Sequence, residues 1–295
     1  MSNDLKRGVR VRHPNIPAWG LGLVLDDSDG ERVRVFFTEV GEKTMSLKVV
    51  RPIVVTGPAA HSAVLDNLKV DCGKSTVKYK SLSASVDYFR SEFPGGFFGD
   101  RYARHEREHK EKIRDEIQLE LSHKKMRSLL NVGEHRAIGE LAIRLTGAQS
   151  NAMIFKSEKI QFRDGLKISE NCRLFAESLY AVLHGTDEFA ARFDAFGDAL
   201  RVLGAGKWTI ATYFLFFMHP DAHMFVKPTV TQNAADVCAF DINYKPEVNA
   251  RTYKAILAFS TYLRDHIADL RPRDMIDVQS FMWCIAPGSY GPSDD

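Results

Sequence analysis

The alternation of apolar and polar residues changes character along the chain. Over residues 1–56, short apolar runs alternate with polar residues, as where Val33, Val35 and Phe37 share one side of a strand. This period of two is typical of a β-strand with one buried face. Four such runs, with a turn signal at residues 28–30 between the second and the third, predict a small, curled antiparallel barrel.

After residue 56 the apolar spacing becomes helical. Ile113, Ile117, Leu121 and Met126 share one face of a long amphipathic run over residues 101–130. Further helices are predicted over residues 81–93, 134–147, 164–185, 186–204, 207–217, 227–240, 249–270 and 273–286. The pattern therefore predicts an α+β protein, with a barrel over residues 1–56 and a helical domain over residues 57–295.

Composition changes this picture little. The chain of 295 residues is 44% hydrophobic, enough for a sizeable core, and its formal net charge of +2 is too small to indicate a nucleic-acid partner by itself. No leader segment is recognised at the N-terminus, and the longest apolar stretch, around residues 213–218, is too short to span a bilayer. We therefore expect a cytoplasmic protein without a membrane partner.

The four cysteines argue against a metal site and against disulfides. Cys72, Cys172, Cys238 and Cys284 lie far apart and form no CxxC pair. A zinc site or an iron–sulfur cluster needs closer spacing, so we expect reduced thiols, no metal and no cofactor.

The most informative segment, "LGAGKWT", lies between two predicted helices at residues 203–209. Gly204 and Gly206 allow the chain to reverse direction, because glycine tolerates positive φ. The helix that follows begins with backbone N–H groups that have no partner in the helix, at the positive end of its dipole. This arrangement suits a phosphate oxygen, and Lys207 adds a positive charge beside it.

This segment resembles the helix-hairpin-helix of DNA glycosylases. Leu203, Gly204, Gly206 and Thr209 match its pattern, and "GKWT" is similar to the branch that removes alkylated bases. The resemblance implies DNA binding through Gly204, Gly206, Lys207 and Thr209. It also implies that Trp208 lies near a base that has been flipped out of the duplex.

The same resemblance exposes a departure from the family pattern. After the hairpin helix, the glycosylases carry an aspartate that stabilises the developing sugar cation or activates water, and here residues 226–230 read "VKPTV" with Lys227 in its place. Three alternatives follow. In the first, Lys227 is a nucleophile that burial keeps neutral. In the second, another carboxylate, Asp277 or Asp241, has taken over the role of the aspartate. In the third, Lys227 only holds a phosphate.

Other polar residues have weaker claims. Asn151 and Gln279 are candidates for the base pocket. His219 and His223 have a spacing that suits a metal on a helix, but Pro220 interrupts that helix. The run at residues 101–111 interleaves basic residues with glutamates, which favours a solvated face over a DNA contact.

The N-terminal segment resembles SH3-like or Tudor-like modules of bacterial DNA-handling proteins. The resemblance depends on "HPNIPAWGLGLVL" and "RVRVFF", and it implies a partner that is protein or nucleic acid. Together the two resemblances imply a glycosylase that acts on double-stranded DNA, excises a damaged or modified base and leaves an abasic site. By analogy, the base would include bulky modified bases of phage, removed in antiviral defence. The alternative is a non-enzymatic adaptor that grips duplex DNA.

Overall fold

A computed structural model of the chain describes residues 5–62, 64–67, 82–147 and 153–286. The protein is α+β, with an N-terminal antiparallel sheet followed by helices. Contacts divide the chain into two compact units, one of residues 1–91 with 233–242 and the other of residues 92–232 with 243–295. The boundary at residue 56 stays a prediction about where the barrel domain ends.

The sheet has five antiparallel strands in the order β4-β3-β2-β1-β5. The strands are β1 Arg10–Arg12, β2 Leu21–Val24, β3 Arg32–Phe37, β4 Gly41–Ser46 and β5 Ile53–Val55. The first four follow the predicted runs, and β5, which pairs with β1, was not predicted.

The predicted alternation places Val33, Val35 and Phe37 in the core of the sheet, where they pack with Val11. Gly22 lies opposite Phe37, and a Cβ on Gly22 would come within 2.6 Å of Val35 Cγ1. Glycine is therefore needed at this position by the close packing of neighbouring strands.

The helices are α1 Leu82–Glu92, α2 Asp100–Tyr102, α3 Glu108–Glu120, α4 His123–Asn131, α5 His135–Gly147, α6 Lys156–Gly165, α7 Ser169–His184, α8 Phe189–Val202, α9 Trp208–Met218, α10 Pro228–Val237, α11 Ala250–His266 and α12 Met275–Ile285. Most of them fall within predicted helical segments, whereas α6 was not predicted as a helix. No helix within the described ranges has both the length and the apolar character needed to cross a membrane.

The single helix predicted over residues 101–130 is wrong. Between α2 and α3 the backbone forms a π-helical turn at Ala103–Arg107, and a break at Leu121 and Ser122 separates α3 from α4. A π-turn adds a residue to the helical repeat, so it changes which side chains share a face. With this change of face, Glu106 and Lys110 are buried rather than exposed to solvent.

Helix α9 is the central helix of the larger unit. Every residue of α9 is buried, and it packs against α3, α7 and α8. The phenol of Tyr213 in its middle donates a hydrogen bond of 3.0 Å to the carbonyl of Leu145. The glycine hairpin thus leads directly into the best-packed part of this unit.

Candidate functional site

A cavity of about 420 Å³ opens in the helical unit. This volume lies within the usual range of pockets for small organic ligands. Its polar lining comes from His105, Glu106, His109, Lys110, Lys227 and Gln279. The apolar lining comes from Met153, Phe225 and Trp283. The cavity therefore combines a wall suited to a flat ring with acid, base and amide groups.

The acid of the cavity is Glu106, which lies in the π-turn. Its side chain is buried, and it accepts a hydrogen bond of 2.7 Å from the ammonium of Lys110. The same ammonium donates to Gln279 Oε1 at 3.0 Å and to Ser280 Oγ at 2.8 Å. Since both charges of a buried pair need such partners, the network explains how this ion pair exists inside the protein.

Lys227 lies immediately before α10, and its carbonyl accepts a hydrogen bond of 2.9 Å from the Thr231 amide. Its ammonium lies 4.5 Å from the ring centroid of Trp283 and 5.1 Å from that of Phe155. Burial lowers the pKa of Lys227, and Lys110 adds to this effect, whereas Glu158 opposes it. These surroundings favour the neutral amine more than water does.

Of the two histidines that line the cavity, His109 is the more buried. Burial lowers the pKa of His109, with a further contribution from Lys110 that Glu106 partly opposes. The imidazole therefore remains neutral to a lower pH than a histidine in water. A neutral imidazole both donates and accepts hydrogen bonds, so His109 adds a second polar contact for a ligand.

The hairpin has the predicted glycine geometry, but its amides are not all available. Gly204 is exposed and has φ of +70°. The amides of Gly204, Ala205 and Lys207 donate to carbonyls of the hairpin or of α8. Within the described ranges, the amides of Gly206 and Trp208 have no recorded acceptor. We expected the whole segment from Gly204 to Lys207 to bind a phosphate. Only the amide of Gly206 and the amide of Trp208, in the first turn of α9, remain available for this contact.

Trp208 and Thr209 are corrections to the sequence prediction. Trp208 is only 2% exposed, and its Nε1–H donates to the carbonyl of Lys245 at 2.8 Å, so its ring has no free face for a base. It lies in the core and not in the wall of the cavity, where Trp283 is found instead. The Thr209 hydroxyl is buried without a hydrogen-bond partner in the described part of the chain, so only the backbone of Thr209 is left as a DNA contact.

The hairpin helix and Lys227 are joined by hydrogen bonds through Thr212. The Thr212 hydroxyl accepts from the amide of Val226 at 2.9 Å and donates to the carbonyl of Trp208 at 2.7 Å. All three residues are buried. Thr212 of α9 therefore fixes the backbone position of the residue that precedes Lys227.

Asp277 is not a free carboxylate, which corrects the expectation that it is catalytic. It is fully buried in the first turn of α12, where it accepts from the Tyr102 hydroxyl at 2.6 Å and from Arg107 Nη1 at 3.1 Å. Arg273 donates to it from its backbone amide at 2.8 Å and from its guanidinium at 2.9 Å. Both oxygens are thus occupied by structural partners, and Asp277 does not line the cavity.

The remaining candidates have different positions. Gln279 lines the cavity, and its role in a base pocket stays a prediction. Asp241 belongs to the compact unit that contains the sheet and is not among the lining residues. Asn151 lies outside the described residues. In the described part of the chain, His219 and His223 belong to no group of three His, Cys, Asp or Glu side chains that could hold a metal ion.

Glu106 and Lys110 are the site residues that sequence reasoning missed. Their run contains so many charges of both signs that its period resembles a solvated helix face. The π-turn that rotates them inward leaves no mark in the apolar spacing. The only available signal was the pairing of Glu106 with Lys110 at a separation of four residues, which is common on exposed helices too.

Comparison with known proteins identifies only the N-terminal sheet. Residues 5–55 match a family described as "Protein of unknown function (DUF3553)". No curated protein and no solved structure matches the chain. The match covers β1 to β5 and assigns no function to the cavity.

Proposed function

We propose that the chain binds double-stranded DNA, receives an extruded nucleobase in the cavity and cleaves its N-glycosidic bond, leaving an abasic site. The observation that carries the proposal is the position of Lys227. It lies at the start of α10, its neighbour Val226 is bonded to the hairpin helix, and its amine lines a cavity with an aromatic wall. An enzyme reaches the glycosidic bond of a base only after the base has left the stack, and a cavity of this kind accommodates the extruded base.

The DNA backbone would be held at the hairpin. Lys207 is exposed, and the unbonded amide of Gly206 lies beside the positive end of the α9 dipole. These groups suit one phosphate next to the extruded nucleotide. We also propose that the N-terminal sheet closes as an SH3-like barrel and contributes to duplex or protein binding. We propose that the protein works in the cytoplasm.

Of the three alternatives for Lys227, the geometry favours the nucleophile. Asp277 is occupied by Tyr102 and two arginines, and Asp241 does not line the cavity. A lysine that only holds a phosphate binds best when it is exposed to solvent and fully charged. Lys227 is instead half-buried against Trp283, and its pKa is lowered. A lysine attacks as the neutral amine, and burial shifts the pKa of Lys227 in the direction that favours this form.

The reaction follows from that amine. Lys227 Nζ attacks C1′ and forms an N–C bond, while the bond from C1′ to the base breaks and its electron pair leaves with the base. The base nitrogen takes the proton that the alkylated ammonium releases. Opening of the sugar ring gives a Schiff base, with the proton for O4′ supplied by water. Hydrolysis then returns the amine and leaves an abasic site.

The test uses the full chain and DNA that carries alkylated, oxidised and bulky phage-type bases. Abasic sites are detected by strand cleavage in alkali. We expect cleavage with the wild type and with Lys254→Gln, a control on the exposed Lys254 of α11. We expect none with Lys227→Gln, although that variant still binds DNA. DNA binding without cleavage at any base would favour the adaptor function. The lysine at the position of the family's aspartate is also compatible with that function.

A further inference from the structure

We infer that Glu106 and Gln279, held in place by Lys110, form a recognition site for the hydrogen-bonding edge of a nucleobase with an N–H donor beside an acceptor. The inference rests on the proposed function and deepens it by naming the class of base. Lys110 is a positioning residue in this account. Glu106 and Gln279 are the two groups that contact the ligand.

Lys110 lines the cavity but has no proton left for a ligand. An ammonium has three N–H donors, and these are used by Glu106 at 2.7 Å, Gln279 at 3.0 Å and Ser280 at 2.8 Å. Ser280 has no proton left for a ligand either, since its hydroxyl donates to the carbonyl of Ile276 at 2.9 Å. The lysine therefore acts on a ligand only through the groups that it holds.

The lysine also fixes which way the Gln279 amide faces. An ammonium donates only, so the side-chain oxygen of Gln279 must face Lys110 and the amide nitrogen must face away from it. No acceptor for that nitrogen is recorded in the described part of the chain, and Gln279 lines the cavity. Gln279 consequently offers N–H donors to an occupant.

Glu106 offers the opposite character. Its carboxylate is held at 2.7 Å by Lys110 and lines the same cavity. An ionised carboxylate accepts hydrogen bonds and repels anions. A ligand must therefore present a donor to Glu106 and an acceptor to Gln279. Fully ionised phosphates lack the donor, and apolar rings offer no hydrogen bond to either protein group.

The apolar residues that line the cavity add a third requirement for the ligand, a planar ring. Trp283, Phe225 and Met153 suit the faces of a planar ring, and the polar pair suits its edge. Nucleobases with an N–H next to a carbonyl or a ring nitrogen satisfy both requirements. Alkylation of that N–H removes the donor, so the ligand loses its hydrogen bond to the buried carboxylate.

The experiment measures binding of free bases to the full chain by NMR titration. The probes are two matched pairs: 1-methyluracil with 1,3-dimethyluracil, and 9-methylhypoxanthine with 1,9-dimethylhypoxanthine. In at least one pair we expect the N–H form to bind about tenfold more tightly, the effect of one hydrogen bond to a charged group. Equal affinities within both pairs, or no binding of any probe at millimolar concentration, would overturn the inference.

Three variants separate recognition from folding. In Glu106→Gln the new amide turns its oxygen to Lys110 and its nitrogen to the ligand, so the preference for the N–H form should be lost. Lys110→Arg should retain the preference because arginine also holds two acceptors, whereas Lys110→Met should lose it. An unchanged preference in Glu106→Gln, or its loss in the conservative Lys110→Arg variant, contradicts the assignment.

The outcome is distinguishable from failure of the proposed function. Base binding needs no excision, so a retained preference without abasic sites on any DNA would leave recognition standing and remove the glycosylase activity. If the protein forms abasic sites but shows no preference for the N–H form of the base, the glycosylase activity stands and the recognition site is removed.

Discussion

The Thr212 hydroxyl accepts the amide hydrogen of Val226 at 2.9 Å and so ties the start of α10 to the hairpin helix. Lys227 follows Val226 directly, and its amine faces Trp283 at 4.5 Å. The helix whose first turn is proposed to contact DNA is therefore bonded to the backbone beside the proposed nucleophile. The position of Lys227 relative to bound DNA would depend on this one hydroxyl.

Two buried threonines, one turn apart in α9, provide a matched test of that bond. Thr212→Val removes the acceptor of the Val226 amide and the donor to Trp208, so we expect a loss of about 1–3 kcal/mol in the free energy of unfolding. Thr209→Val removes a buried hydroxyl that has no partner within the described ranges, so stability should be unchanged or slightly higher. Urea unfolding of both variants measures the difference.

The same pair also tests the corrected role of Thr209. Because its hydroxyl is buried, Thr209→Val should bind duplex DNA as tightly as the wild type. If Thr209→Val instead weakens DNA binding without a loss of stability, its hydroxyl contacts DNA, and the sequence prediction for that residue is restored.

Asp277 is predicted to stabilise the fold and to take no part in chemistry. Asp277→Asn removes a buried charge that pairs with Arg107 and Arg273, and because Arg107 keeps Asp274 as a partner we expect a loss of about 3 kcal/mol, the lower end for a broken buried pair. Chemical denaturation should show this loss, with Asp221→Asn as an exposed control. A variant with normal stability and no excision would show that Asp277 is catalytic after all.

His223 is predicted to make the protein less stable in acid. Burial, with smaller contributions from His219 and Arg192, lowers the pKa of His223 to about 4. Between about pH 6.5 and pH 4 the unfolded chain therefore binds a proton that the folded protein excludes, and stability falls as the pH falls. The full effect of His223 is about 3 kcal/mol.

His223→Phe checks this prediction, because phenylalanine keeps a ring next to Phe189 and Tyr253. The free energy of unfolding of the variant should decrease less than that of the wild type between pH 7 and pH 4. Parallel pH curves for the two proteins would mean that His223 is protonated equally in both states.

Lys207 is predicted to contribute a phosphate contact. Removal of one such contact lowers the slope of log K against log salt by about 0.9 for duplex DNA. Lys207→Gln should therefore weaken binding at low salt and reduce the slope by about one contact, while Lys254→Gln should match the wild type. An unchanged slope for Lys207→Gln would remove the hairpin from the DNA interface.

Much of the fold could be predicted because it follows from local patterns. The alternation at Val33, Val35 and Phe37 defines a strand, and the two glycines at residues 204 and 206 mark the hairpin. Strand β5 escaped prediction because its three residues, Ile53–Val55, are all apolar and show no alternation, whereas the equally short β1 alternates. The π-turn escaped because an extra residue in one helical turn does not alter composition.

The site was harder to predict because burial decides the roles of its residues. Trp208 matches a motif, yet packing against Phe193 and a bond to the Lys245 carbonyl make it a core residue. Asp277 was chosen as a costly charge in an apolar helix, and its partners Tyr102 and Arg107 are about 170 positions away in sequence. Only Lys227 and Gln279 were predicted and also line the cavity.

The central claim is that the amine of Lys227 reaches C1′ of a nucleotide extruded from duplex DNA. A duplex with a single abasic site tests it without knowledge of the base, because its C1′ aldehyde forms a Schiff base with a nearby amine that borohydride reduces to a stable bond. Mass spectrometry of the trapped complex should locate the sugar on Lys227, and Lys227→Gln should abolish the adduct. No adduct with the wild type, or an adduct on Lys207 or another exposed lysine that persists in Lys227→Gln, would contradict the account.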